Sequence, residues 1–202
     1  MNRRENTTMQ SEIFIVLMIV MILLFIITSL YLAKLKEHQQ PPLIVLDEAH
    51  GYSFASSSAS LNKQFQSQLS ASVITKISKF SKEHKCDIVE VYGYTDAQPF
   101  SSKSGGTQFD NALHHCLSDG CDIDKIQASS NLELGMKRAV SVVEFLKSRL
   151  AENKTIKIIR PYSAGQFIDE AGSIASMVNR SGNKLRRRIE IRLSRSRDFQ
   201  RR

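Results

Sequence analysis

The chain of 202 residues is long enough for one domain of ordinary size plus an appendage. Its net charge of +8 is local: residues 184–202 hold one Lys and eight Arg against two acidic residues, a net +7 that leaves +1 for residues 1–183. A like-charge run of this kind reads first as a solvated tail, and with no recognisable reading motif in the chain no nucleic-acid partner is expected.

The first element is residues 13–32, IFIVLMIVMILLFIITSLYL, twenty consecutive residues without a formal charge. At about 1.5 Å per residue they span the roughly 30 Å hydrocarbon core of a bilayer, so a transmembrane helix is predicted there. A cleaved signal peptide has an apolar region of about 7–15 residues followed by a small-x-small site, whereas Leu30, Tyr31 and Leu32 run straight towards Lys34, so the anchor is read as uncleaved. Arg3 and Arg4 on one flank balance Lys34 and Lys36 on the other, and the free amino terminus tips the orientation to N-inside. Residues 1–12 are then a cytoplasmic N-terminus, and the body of the protein, with its three cysteines, lies where disulfides form. Ser11 reads as the cap of this helix and Glu12 as a complement to its positive end.

Residues 33–42 are polar and close on Pro41 and Pro42, a short linker, and the folded domain begins near Leu43. A serine-rich stretch, SFASSSAS, leads into a helical pattern in which Leu61, Phe65, Leu69, Val73 and Ile77 recur every fourth residue as far as about His84. Residues 87–94 alternate as a half-buried strand and end on GYTDAQPF, where Gly93, Thr95 and Asp96 suit either a tight turn or a ligand site. The next 35 residues, 95–129, show no sustained period and read as a long loop.

That loop contains HHCLSDGCD. Cys116 and Cys121 suit a small disulfide loop; His114 and His115 with the cysteines suit zinc, although a four-ligand spacing is lacking; free thiols are the third reading. Cys86, just before a strand, reads as a small buried residue. No metal or cofactor is called for.

Ser130 and Glu133 have the spacing of a capping box and open a helix whose apolar face carries Leu134, Ala139, Val142, Val143, Leu146 and Leu150. Residues 155–162 and 188–193 read as strands, residues 165–177 as the place for a short helix, and residues 194–202 as a basic tail. The order strand, helix, strand, helix, strand, strand predicts an α+β domain with helices packed on one mixed sheet.

Four stretches in this order, YSFASSSASL at 52–61, VEVYGYTD at 89–96, SNLELGMKRAVSVVEFL at 130–146 and RRRIEI at 186–191, resemble the C-terminal domain of OmpA-like and MotB-like proteins. The resemblance covers about residues 43–193. It implies a non-enzymatic domain that binds peptidoglycan on the periplasmic side of the cell inner membrane, carried on a single-pass helix. In that family the strand-end aspartate and the arginine of the helix motif hold the diaminopimelate of the peptidoglycan stem peptide. The matching positions are Asp96 and Arg138, with Thr95, Asn131, Leu134 and Arg187 as neighbours. A carboxylate and a guanidinium close together suit a zwitterion, one taking the ammonium group and the other the carboxylate. Read without the resemblance, Asp96 caps its own turn and Arg138 is a solvated helix residue. Gly135 stands where the family has serine, and the loop after Asp96 is longer than the family's.

MotB-like stator subunits form homodimers inside a multi-pass MotA/ExbB-like partner, as in flagellar motors or Zorya-like defence, and carry an ion-accepting aspartate in the membrane helix. Here Glu12 is the only carboxylate in a comparable place, which makes it the ion-carrying candidate alongside its reading as a dipole complement.

Overall fold

The computed structural model describes residues 2–39, 42–98, 108–176 and 182–196. The chain divides into two units, Met1–Gln40 and Pro41–Arg202.

The first unit is one helix, α1 (Asn2–Gln39), with a candidate membrane span at Glu12–Lys34. Inside this stretch the Thr28 hydroxyl donates back along the helix to Leu24 O at 2.8 Å and to Phe25 O at 3.0 Å. The helix exceeds the expected span at both ends. Residues 33–39, read as linker, are helical because AKLKEHQ contains no breaker before Pro41. Ser11 and Glu12 lie inside the helix rather than at its start, since residues 2–10 hold no Pro or Gly to stop it.

The second unit is built on a four-stranded mixed sheet in the order β1-β4-β2-β3, from β1 (Leu43–Asp47), β2 (Ile88–Tyr94), β3 (Ile158–Gly165) and β4 (Arg188–Ser194). β4 is antiparallel to both β1 and β2, whereas β2 and β3 run parallel. A parallel pair needs a long crossover, and the 20-residue helix α5 (Asn131–Leu150) supplies it. β3 is an edge strand and so tolerates Pro161, which has no N–H to donate. It starts later than the sequence pattern suggested. Asn153 Oδ1 accepts from Thr155 N and Ile156 N at 3.0 and 3.4 Å and holds residues 155 and 156 in a turn.

The four-residue spacing of Phe65, Leu69, Val73 and Ile77 exceeds the 3.6-residue turn of an α-helix, so in a regular helix these side chains drift about 40° per step around the axis. The chain removes the drift locally. Helices α2 (Lys63–Gln68) and α3 (Ile74–Glu83) are joined by a wider π-helical turn, Leu69–Val73. All four residues are fully buried, against Val89 and Val91 of β2, Ile189, Ile191 and Leu193 of β4, and Val142, Val143 and Leu146 of α5.

Two expectations are corrected. The stretch read as a structureless loop holds α4 (Gln108–Asp119) and a 3₁₀ turn, Ile123–Lys125. Phe109, Leu113 and Cys116 form a stripe that packs with Ile126, Leu134 and Val140 in a second small core; residues 99–107 lie outside the described residues. Residues 165–176 form no helix. Asp169 Oδ1 instead accepts from Ala171 N and Ser173 N at 3.0 and 2.8 Å, and Ile168 bridges Ile174.

The basic run is not a solvated tail where it is described. Arg186 and Arg188 are buried, and Arg188 and Arg192 pair with Glu190 at 2.9 and 2.7 Å. Arg188 also stacks over the Tyr94 ring, 3.9 Å from its centroid, and the Tyr94 hydroxyl donates to Glu190 at 2.9 Å. Burial pushes the Glu190 carboxyl up, but hydrogen bonds from Arg192, Arg188 and Tyr94 outweigh it and hold it below the usual range. Of residues 194–202, the last six lie outside the described residues.

Candidate functional site

The registers put the end of β1, the end of β2 and the start of β4 at one sheet edge, since Asp47 faces Arg188 and Gly93 faces Ile189. Glu48, Thr95, Asp96 and Arg187 therefore meet there, although they are far apart in sequence. Helix α5 begins against the same edge. Its Ser130 cap accepts from Glu133 N at 3.2 Å, while Glu133 Oε2 reaches back to Ser129 N at 2.6 Å, one residue earlier than a standard capping box.

Two glycines set how closely α5 approaches. A Cβ on Gly93 would lie 1.9 Å from Gly135 O, and one on Gly135 would lie 2.5 Å from Ser163 Oγ. Strand and helix thus touch backbone to backbone, and Gly135 has a packing reason that outweighs its poor helix propensity. Around that contact, Thr95 Oγ1 donates to Asn131 O at 3.3 Å and Ser163 Oγ to Leu132 O at 2.7 Å. Asn131 Nδ2 donates to Gln98 O and to Gln166 Oε1, both at 2.8 Å.

The result is a cavity of about 320 Å³ lined by all six residues named from the sequence motifs, Thr95, Asp96, Asn131, Leu134, Arg138 and Arg187. Glu48, Phe54, Ser56, Ser57 and Gln98 complete it; Phe54, Ser56, Ser57 and Gln98 lie in the quoted motif stretches, but none of the five was singled out as a site residue. Glu48 follows its strand as Asp96 follows β2, but only the strand pairing shows that the two ends meet.

Arg138 is not a solvated helix residue: it is 3% exposed. Its Nε donates to Ser58 O at 3.0 Å and its Nη2 to Ala55 O at 3.4 Å, and the guanidinium lies 4.8 Å from the centre of the Phe54 ring. Burial lowers its pKa to about 10, with the nearby Asp96 carboxylate opposing that fall, so it stays charged at neutral pH. Asp96, 5% exposed, accepts from Arg187 Nη1 and from Asn183 N, and Arg187 also donates to Glu48. The hydrogen bond with Glu48 is the main reason the Arg187 pKa is raised. The cavity therefore holds two carboxylates and two guanidiniums, with the arginines arriving from different directions.

Cys116 and Cys121 are joined in a disulfide that ties the end of α4 to the turn after it, with their Cα atoms 4.7 Å apart. Among the described residues no three His, Cys, Asp or Glu side chains gather as metal ligands, and His115 sits beside Asp119 at 3.6 Å. Cys86 is buried in the main core. In protein recovered from an oxidising compartment, peptide mapping without reductant should find residues 116 and 121 in one linked peptide and Cys86 as a thiol. Cys121→Ser should lower stability by about 2 kcal/mol, the loop-closure value for so short a ring. Two thiols at 116 and 121 would refute the link.

No family model matches the chain, and no curated protein matches it. Solved structures are similar at low identity. The cell wall anchor of the T6SS from Pseudomonas aeruginosa is 18% identical over 83% of this chain and 96% of that one, with a TM-score of 0.43. A periplasmic domain of Helicobacter pylori MotB is 18% identical over 81% of this chain and 82% of that one, at 0.45. The peptidoglycan-associated lipoprotein from Burkholderia pseudomallei is 18% identical over 74% and 89%, at 0.35.

Proposed function

We propose that residues 43–193 are a peptidoglycan-binding module whose cavity grips the free amino-acid end of a diaminopimelate stem peptide, without catalysis, on the periplasmic side of the inner membrane. The observation that supports this reading is the convergence of six motif residues from two strand ends and one helix on a single cavity lined by both signs of charge. In this reading Asp96 takes the ligand's ammonium group and Arg138 its carboxylate. Both groups are pinned before the ligand arrives, so little side-chain freedom remains to be lost on binding. Arg187 shares Asp96 with the incoming ammonium group and keeps Glu48 as its second partner. The test is co-sedimentation with insoluble peptidoglycan, competed by free diaminopimelate. Sedimentation that diaminopimelate leaves untouched would sink the proposed contact.

A second reading makes the chain one of two identical subunits inside a multi-pass, ion-conducting partner, with Glu12 carrying the ion. It is favoured by one observation: Glu12 lies ten residues into α1, beyond the first turn where a helix end attracts a carboxylate. That position does not favour reading Glu12 as a complement to the helix dipole. A carboxylate at the start of an apolar span is costly unless water or a partner reaches it. Glu12→Gln keeps the size and removes the titratable group. The variant should reach the membrane at the parent's level, sediment with peptidoglycan as before and co-purify with the multi-pass partner, yet lose ion flux through the complex. Unchanged flux would remove this reading and leave the peptidoglycan module standing.

A further inference from the structure

The opposite edge of the sheet carries a second charged feature. The turn before β2, the turn before β3 and the residues after β4 meet there, because Ile88 faces both Ile158 and Ser194. Among the described residues they line an open hollow of about 600 Å³ with Lys82, Lys85, Lys154, Lys157 and Arg195 against one acid, Asp87. Burial pushes the Asp87 carboxyl up, but Ser196 N and Oγ and Lys157 outweigh it, and its pKa falls to about 2. Asp87 is thus ionised and occupied by Ser196 Oγ at 2.7 Å and Lys157 Nζ at 3.2 Å. Among the described residues the lining holds five cations against one carboxylate, a net charge of +4.

This is also the edge at which the chain enters the domain. Leu43 pairs with Arg192, and Leu193 N donates to Pro42 O at 3.1 Å. Eight residues, 35–42, separate Lys34, the last of the candidate span, from Leu43, and residues 35–39 of these are helical. Five helical residues rise about 8 Å and the three that follow can add at most about 11 Å, so the tether reaches no more than roughly 20 Å. The edge that carries Asp96 lies a further strand length away. The chain therefore enters the domain at the end of the sheet that carries the basic hollow, not at the end that carries Asp96.

We propose that this hollow docks on the phosphate groups of an anionic lipid surface, so that the basic edge faces the membrane and the Asp96 cavity faces away from it. Charge complementarity carries the assignment: lysines near an anionic leaflet add attraction within about one Debye length, roughly 8 Å at physiological salt. Lys82, Lys85 and Lys154 are exposed, so their ammonium groups can reach phosphates without any rearrangement of the fold, while Lys157 is held by Asp87. The proposal rests on residues 12–34 crossing the bilayer, but not on the identity of the ligand in the cavity.

The test uses the full chain in vesicles of phosphatidylcholine, alone or mixed with phosphatidylglycerol, with an amine-acylating reagent and mass spectrometry to read each lysine. Labelling of Lys82, Lys85 and Lys154 should fall about threefold in the anionic vesicles and return at high salt, while Lys63 and Lys125 stay unchanged. Lys82→Glu combined with Lys154→Glu should remove the protection of Lys85 without moving the melting temperature. Equal labelling in both lipids, with the chain retained through an alkaline carbonate wash, overturns the proposal alone. Release by that wash overturns the anchor and the proposal together. Protection by soluble glycerol phosphate in pure phosphatidylcholine would assign the hollow to a small phosphate instead and overturn the lipid reading.

Discussion

Asp96→Ala and Arg138→Ala are each expected to weaken binding of residues 43–202 to insoluble peptidoglycan by about 30-fold or more. Removing one member of a buried charge pair leaves the ligand's opposite charge desolvated and unmet, which costs about 2–5 kcal/mol. Both residues also have work to do in the unliganded fold, and the test must separate the two. Arg138 holds the carbonyls of Ala55 and Ser58, and Asp96 holds Arg187 and Asn183 N. Two milder variants do this. Asp96→Asn keeps the size and an acceptor for Asn183 N while removing the charge. Arg138→Lys keeps the charge but cannot offer a carboxylate two parallel N–H donors. Both should melt nearer the parent than the alanine variants do, and both should still bind poorly. If all four sediment with peptidoglycan as the parent does, the zwitterion clamp is wrong. If only the alanine variants lose binding, and lose it together with the fold, Asp96 and Arg138 are structural residues.

The lining of the candidate cavity was legible in the sequence where a motif carried a residue type with a definite chemical job. Asp96 at a strand tip and Arg138 one turn beyond Leu134 fall in that class, and the structure brings them to one cavity. Glu48 and Phe54 were not legible, because nothing in their neighbours distinguishes an ordinary turn from a cavity wall. The pairing of β1 with β4, between residues about 140 apart in the chain, places Glu48, and edge contact with Phe65 under the Arg138 guanidinium places Phe54. The three consecutive arginines show the same limit. Period-two reasoning puts Arg186 and Arg188 on one side and Arg187 on the other, but it does not say that Glu190, Tyr94 and the backbone of Asp169 wait there. A charged residue on an alternating strand is usually read as facing water. Here Arg188 and Glu190 on the charged side of β4 are buried, Arg192 stays half-exposed, and the side carries ion pairs and stacked aromatic rings.

Among the elements, α5 and β4 were legible because a cap or a strict alternation marks each of them. Helix α4 was not, because its buried stripe is only three residues long and the histidines between them carry no period. Phe109, Leu113 and Cys116, spaced by four and then three, were the available signal. The π-helical turn was written in the sequence more plainly than the reading allowed, since a sustained four-residue repeat cannot stay on one face of a regular α-helix.

Gly93→Ala is expected to destabilise the domain by about 3 kcal/mol or more, far beyond the effect of Gly135→Ala at the other side of the same contact. The two glycines touch, yet the obstacles differ in kind. A Cβ on Gly93 meets Gly135 O at 1.9 Å and Gly135 C at 2.7 Å, and backbone atoms cannot rotate away. Strand β2 is hydrogen-bonded on both sides, by β4 and by β3, so it cannot retreat either. Helix α5 would have to lift, which would pull Asn131 from Thr95 and open the cavity. A Cβ on Gly135 meets first the Ser163 hydroxyl at 2.5 Å, a side chain that can turn aside at the cost of its 2.7 Å bond to Leu132 O, and then Gly93 O at 2.9 Å. It also gains about 1 kcal/mol of helix propensity, so the net loss should stay within about 1–2 kcal/mol. Urea unfolding of residues 43–202, with the slope unchanged, reads both values. Ser163→Ala should recover part of the Gly135→Ala loss and none of the Gly93→Ala loss. Equal midpoints for the two single variants would mean that the backbone contact is looser than 1.9 Å implies, and that the nearness of α5 to the tip of β2 is set by something other than these glycines.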